Sequence, residues 1–305
     1  MTLRELFDLC KKAVTSWLDD YAPSMGAALA YYTVFSIAPL LLIVISVAGL
    51  VFGEAAARGA IFDQLSGLMG AQGASAIQGL LSSVNKPAEG IIATVTGLLL
   101  LVLGATTVFR ELQDALDRIW RAPARDRSGG VWKMVHTRLL SFGLILGIGF
   151  LLAVSLVASA AFAALSKWWE PVFGGWAMLG QVVNFVFGFI ISTVGFAAIY
   201  RLMPRAKVEW GDVWVGAAVT SLLFSVGKQL IGLYIGKSSV ASGFGAAGSL
   251  VVVLVWVYYS AQIFLLGAEF TWVYAHEHGS LRGKRRPDGA RFDPQDPQER
   301  KLPHR

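Results

Sequence analysis

The chain has 305 residues, 55% of them hydrophobic and only 15% charged, against roughly 45–50% and about 25% in soluble domains. That balance, with 33 glycines and 10 tryptophans, excludes an ordinary water-soluble globule. The net charge of +6 fits either nucleic-acid binding or cytoplasmic loops rich in Lys and Arg, and the single cysteine, Cys10, excludes an intrachain disulfide and a thiolate metal cluster.

Residues 1–26 predict a cytoplasmic amphipathic helix. Leu3, Leu6, Phe7, Cys10, Val14, Trp17 and Leu18 recur at helical spacing, with Arg4, Glu5, Lys11, Lys12 and Asp19 on other faces. No apolar core precedes a cleavage site, so the segment reads as a helix on the membrane surface and not as a signal peptide.

Six apolar stretches follow within residues 27–273, each near the roughly 20 residues that cross about 30 Å of hydrocarbon. They run from Ala27 to Phe52, Ile91 to Phe109, Leu139 to Leu165, Val182 to Leu202, Val213 to Ile235 and Ala246 to Val273. None alternates like a barrel strand, so helices are expected. After the first span, the external connection 53–90 carries Ile61, Phe62, Leu65, Leu68 and Met69, then Ile77, Leu80, Leu81 and Val84, with Gly70 and Gly73 between. That pattern predicts two short amphipathic helices. After the second span, the cytoplasmic connection 110–138 opens with another, where Phe109, Leu112, Leu116, Ile119 and Trp120 form a stripe that Pro123 ends. Residues 274–305 are charged and hold four prolines, which predicts a disordered cytoplasmic tail.

Lys and Arg set the orientation. Twenty-one lie in the N-terminal segment, the second and fourth connections and the tail, whereas only Arg58, Lys86, Lys167 and Lys237 lie on the opposite side. By the positive-inside rule both termini are cytoplasmic. Trp168, Trp169 and Trp176 then flank the outer boundary, and Trp120, Trp132, Trp210 and Trp272 the inner one, as interfacial anchors. They are not interleaved with basic residues in a groove, so no nucleic-acid partner is expected.

Four motifs occur in order within this layout: the run from Ala27 to Leu42 (AALAYYTVFSIAPLLL), the run from Phe109 to Trp120 (FRELQDALDRIW), Tyr200 to Pro204 (YRLMP) and Leu265 to Phe270 (LLGAEF). Together, over about residues 10–275, the chain resembles the YihY/BrkB family of bacterial inner-membrane proteins. The resemblance implies an inner-membrane location and this six-span fold. Members carried the label ribonuclease BN in error, others are called virulence factor BrkB, and a transport role has been suspected. The family has no accepted catalytic set, so the resemblance carries no catalytic residue to this chain.

The residues themselves point away from an enzyme. The four histidines are His136, His276, His278 and His304, and the trio His276-Glu277-His278 spaces its rings two apart, which does not bring both to one helical face. No phosphate loop, nucleophile elbow or HExxH pattern is present. Neither a metal nor a cofactor is therefore expected.

Ionisable and polar groups within spans are costly, and so are the candidate functional residues. Lys228 stands in a stripe with Ser221, Ser225, Gly232 and Gly236. The stripe either lines a cavity for an anionic group, or packs a helix through its small residues while Lys228 snorkels outward. Glu269 shares a helix face with Gln262 and Tyr258. It either binds a proton or cation, or pairs with a cytoplasmic-side arginine such as Arg110 or Arg201. Its depth should differ from that of Lys228 by about 15 Å. Asn184 shares a face of the fourth span with Gly188 and Gly195, and Pro39 interrupts the first; such positions line transport sites or glue and kink helices. Gly143 with Gly147 and Gly232 with Gly236 form GxxxG pairs, which leave a homo-oligomer open.

The reading is thus an all-α polytopic membrane protein with six transmembrane helices and short amphipathic interfacial helices. Its expected role is to move a solute or lipid through a polar-lined cavity, with membrane lipids and an anionic solute or lipid as partners. The competitors are a structural or envelope-organising protein and, third, a membrane-embedded enzyme.

Overall fold

The computed structural model describes residues 3–84, 107–122, 177–206, 208–237, 244 and 247–282. Among these every regular element is a helix: α1 (Leu3–Asp19), α2 (Ala22–Phe52), α3 (Glu54–Val84), α4 (107–119), α5 (Ala177–Leu202), α6 (Trp210–Lys237) and α7 (Gly248–Glu277). Three stretches of the described residues are long and apolar enough to cross a bilayer: Phe185–Leu202, Trp210–Ile235 and Gly248–Glu277. They coincide with the fourth, fifth and sixth expected spans. The first expected span is one continuous helix, α2, running through Pro39. The second, apart from its last residues, and the third lie outside the described residues, as do Gly143, Gly147 and the tail beyond residue 282.

The chain forms two compact units. One contains residues 1–20, 116–222 and 266–305, the other 21–115 and 223–265. In the first unit α1 lays Leu9 and Ala13 against protein and leaves Leu6, Phe7, Cys10, Val14 and Leu18 exposed along its other side. An exposed apolar stripe on a short polar helix is the form that lies in a headgroup layer. In the second unit Val34 and Ile45 of α2, Ile77 and Leu81 of α3, Ile231 and Ile235 of α6, and Val252 and Val253 of α7 form one buried core.

Helix α3 departs from expectation. Instead of two short helices broken at Gly70 and Gly73, it is continuous over 31 residues. An interior glycine costs only about 1 kcal/mol. Here Ile61 and Leu65 before the glycines pack against the same core that Ala76, Ile77 and Leu81 join beyond them, so tertiary burial outweighs local propensity.

Two further expectations change. Trp120 and Trp272, expected as boundary anchors, are buried at 6% and 3% exposure, whereas Trp210 is exposed as an anchor should be. Helix α7 also runs past residue 274, where the polar tail was expected to begin. The turn after it is held by Leu281 N–H donating to Ala275 O at 3.0 Å and by Ser280 Oγ–H donating to Asp212 at 2.6 Å.

Candidate functional site

In the first unit two chain reversals lie at the last turns of α7, whose own end is the third. The first is the corner between α1 and α2. Asp20 N–H still donates to Ser16 O at 2.8 Å, and Tyr21 then adopts left-handed backbone (φ 58°) before Pro23 helps start α2. Asp20 is thereby held at the turn, 4% exposed.

The second is the end of α4. Arg121 N–H donates to Arg118 O at 3.1 Å and Ala122 N–H to Asp117 O at 2.8 Å, the paired bonds of a Schellman closure. That closure puts its central residue in the left-handed region, where glycine is usual, yet Arg121 occupies it with φ 47°. The strain, about 1–2 kcal/mol, has a counterpart in what the side chain reaches: the Arg121 guanidinium lies 4.5 Å from the centre of the Trp272 ring.

The third is the end of α7, where Glu277 forms an ion pair with Lys12 of α1. The same unit contains a fourth tie: Asp117 of α4 accepts from Arg205 N–H at 2.7 Å and pairs with the Arg205 side chain at 3.1 Å.

Glu269 lies three residues before Trp272 on α7. It is 0% exposed, and neither carboxyl oxygen has a hydrogen-bond donor among the described residues. Another acid, Asp20, lies within reach of a hydrogen bond to it, and Arg121 and Asp19 are the other charged groups nearby among the described residues. Two carboxylates are both acceptors, so they bond directly only when a proton lies between them, or indirectly through a cation. An acid without a donor is among the costliest groups to bury. The arrangement can therefore hold one positive species between Asp20 and Glu269, with Arg121 as the neighbouring fixed charge.

Glu269 was legible as a candidate from the sequence, but its partners were not. Arg110, one expected partner, is exposed, and the guanidinium of Arg201, the other, lies over the Trp210 ring at 5.9 Å. Among the described residues, the charged groups near the acid are Asp20, Arg121 and Asp19. Asp20 stands outside every apolar span, and Arg121 is one of seven basic residues in its segment, so hydropathy marked neither.

The other candidates do not join this site. Ser221 belongs to the same unit, fully buried with no partner for its hydroxyl among the described residues. Ser225, Lys228, Gln262 and Tyr258 belong to the second unit. There Gln262 donates weakly to Pro23 O at 3.4 Å and fills the space over Gly26, which makes it a helix contact. Tyr258 is 37% exposed. Lys228 and Ser225 are half-buried, and Lys228 makes no ion pair among the described residues. Gly232, expected to bring helices close, has nothing within 4 Å of an added Cβ. Close approach of α6 to α7 falls elsewhere: on Gly216 against Thr271 and Thr220 against Gly267 in the first unit, and on Gly227 against Ile263 and Tyr259 in the second. Asn184 is helical in α5, and its side chain lies outside the described residues.

The His276-Glu277-His278 trio is divided among three partners. His276 Nδ1 bonds Trp272 O at 2.8 Å, Glu277 pairs with Lys12, and His278 stacks on Tyr274.

Long apolar helices, a surface helix with one apolar side and a buried acid near the end of a span define a helical membrane protein. The chain belongs to the virulence factor BrkB family, whose model matches residues 13–291. It is 25% identical over 272 residues to a UPF0761 membrane protein of a Psychrobacter species, covering 87% of this chain and 48% of that one. It is 29% identical to UPF0761 membrane proteins of Tolumonas auensis, covering 58% of this chain and 56% of that one, and of Azotobacter vinelandii, covering 89% and 63%. The chain thus spans about half to two thirds of the length of the curated relatives it matches. No solved structure matches it.

Proposed function

We propose that this chain is a six-span protein of the bacterial inner membrane, with both termini in the cytoplasm. In this reading it moves a solute or a lipid and is not an enzyme, and Glu269 with Asp20 is the element that binds the driving proton or cation. The observation that carries the proposal is the state of Glu269: a carboxyl fully buried in an apolar helix, with no donor among the described residues and a second acid beside it. A carboxyl serving only to fasten helices gains by meeting a donor. One that binds and releases a positive species must lack a permanent partner. The excess of Lys and Arg in the expected cytoplasmic segments supports the orientation.

The second reading, a structural or envelope-organising protein, is favoured by the tight small-residue contacts. A Cβ on Gly216 or Gly267 would collide with Thr271 or Thr220, and such close approach is how membrane helices lock together.

Reconstitution separates the two. The full chain in liposomes holding a pH-sensitive dye should pass protons or reorient fluorescent lipid faster than protein-free liposomes, and Glu269→Gln should remove the difference. Flux indistinguishable from protein-free liposomes, under both proton and sodium gradients, would favour the structural reading.

A further inference from the structure

The second unit holds a cavity of about 260 Å³ whose chemistry the proposed site does not use. Ile45 of α2 and Ile61, Leu65, Ile77 and Leu81 of α3 supply an aliphatic wall, with the Phe62 ring among them. Among the described residues that line it, Arg58 is the charged one and Gln78 the amide.

We propose that this cavity binds the chain of a single-chain amphiphile whose anionic head is held by Arg58. Charge complementarity decides the head. Arg58 gives Nε–H and one Nη2–H to a single oxygen of Glu54, at 3.0 and 2.7 Å. A guanidinium has five N–H donors, so about three remain for a second acid, and the contact with Glu54 aims the group without exhausting it. A neutral head would leave those donors to water, while a carboxylate or phosphate oxygen accepts them as charge-assisted bonds.

The wall decides the rest. A dry apolar cavity of about 150 Å³ takes up benzene, so by the same proportion 260 Å³ admits about ten carbons. A small hydrophilic anion would gain nothing from five aliphatic residues and a phenyl ring, whereas an acyl stem exchanges water for apolar surface along its length. A two-chain lipid would leave a whole chain outside. The proposal concerns binding alone and stands apart from any transport.

The test uses the full chain in nanodiscs of zwitterionic lipid, with photoreactive decanoic acid, a photoreactive single-chain phosphatidylglycerol and photoreactive decanol as probes. Crosslinks are mapped by mass spectrometry. Either acid should label the peptides holding Ile61–Leu65 or Ala74–Leu81, and the arm that labels at lower concentration identifies the source of the head. Arg58→Gln should weaken acid labelling at least tenfold and leave decanol unchanged, and Arg58→Lys should restore part of it. Ala74→Phe should reduce labelling by all three probes. Because Arg58 is partly exposed and its ion pair with Glu54 lies on the helix surface, Arg58→Gln should fold. Labelling that is insensitive to Arg58→Gln, or no stronger than on the exposed side of α5 at Phe185 and Ile190, would overturn the proposal.

Discussion

The hydroxyl of Tyr200 on α5 lies 3.1 Å from Thr220 Oγ1 on α6, and Gly267 of α7 is the residue that leaves room for both. Thr220 also donates to Gly216 O at 2.7 Å, so the two hydroxyls and a backbone carbonyl satisfy one another in an apolar contact. A side chain on Gly267 would strike Thr220 Oγ1 and crowd the Tyr200 hydroxyl. Gly267→Val should therefore destabilise the protein by about 1–3 kcal/mol through overpacking, read as a lower unfolding temperature in detergent. Gly188→Ala is the control. An added Cβ there meets nothing within 4 Å, so the change should be neutral or stabilising by about 0.5–1 kcal/mol.

Arg121→Gly separates strain from charge. Glycine at φ 47° should relieve about 1–2 kcal/mol of left-handed strain at the end of α4, but it removes the cation over Trp272, whose contact is worth about 0.5–2 kcal/mol. Stability should change little while flux falls, because the fixed charge beside Glu269 is gone. Unchanged flux would remove Arg121 from the site.

Lys228 sets the opposite expectation. It is half-buried, without an ion pair among the described residues, and belongs to a different compact unit from Glu269. Lys228→Met should be neutral or mildly stabilising, since Met keeps the apolar stem and removes a charge from a span. A folded Lys228→Met protein that has lost flux would return the stripe of Ser221, Ser225 and Lys228 to the transport path.

Orientation is checked by reporter fusions. Fusions after Arg127, Lys207 and Ser280 should report cytoplasm, and those after Gly73, Gly174 and Ser239 the exterior, as the distribution of Lys and Arg requires. An external signal after Lys207 would break the six-span arrangement.

Hydropathy located the last three long apolar helices because length and apolar content are local properties, and Glu269 stood out as a charge inside such a helix. Helix α3 was misread because Gly70 and Gly73 are local breakers, while the core the helix packs on, formed with Val34, Ile231 and Val252, is assembled from distant segments. Trp120 and Trp272 were misread for a related reason. A tryptophan near a span end has the same sequence signature whether it faces headgroups or is buried against protein, as Trp120 is and as Trp272 is beneath Arg121. Asp20 and Arg121 were invisible as site residues because both reach Glu269 from turns whose shape depends on left-handed backbone at Tyr21 and at Arg121 itself.

The central claim is that Glu269 holds an exchangeable positive species, and carbodiimide modification tests it most directly. The reagent adds to a carboxyl that carries a proton in apolar surroundings. With the full chain in liposomes, mass spectrometry should find Glu269 modified, flux should fall in proportion to the modified fraction, and Asp20→Asn should change the rate of modification. Glu269 left unmodified, or fully modified with flux intact, would contradict the claim and leave the acid as part of the helix packing.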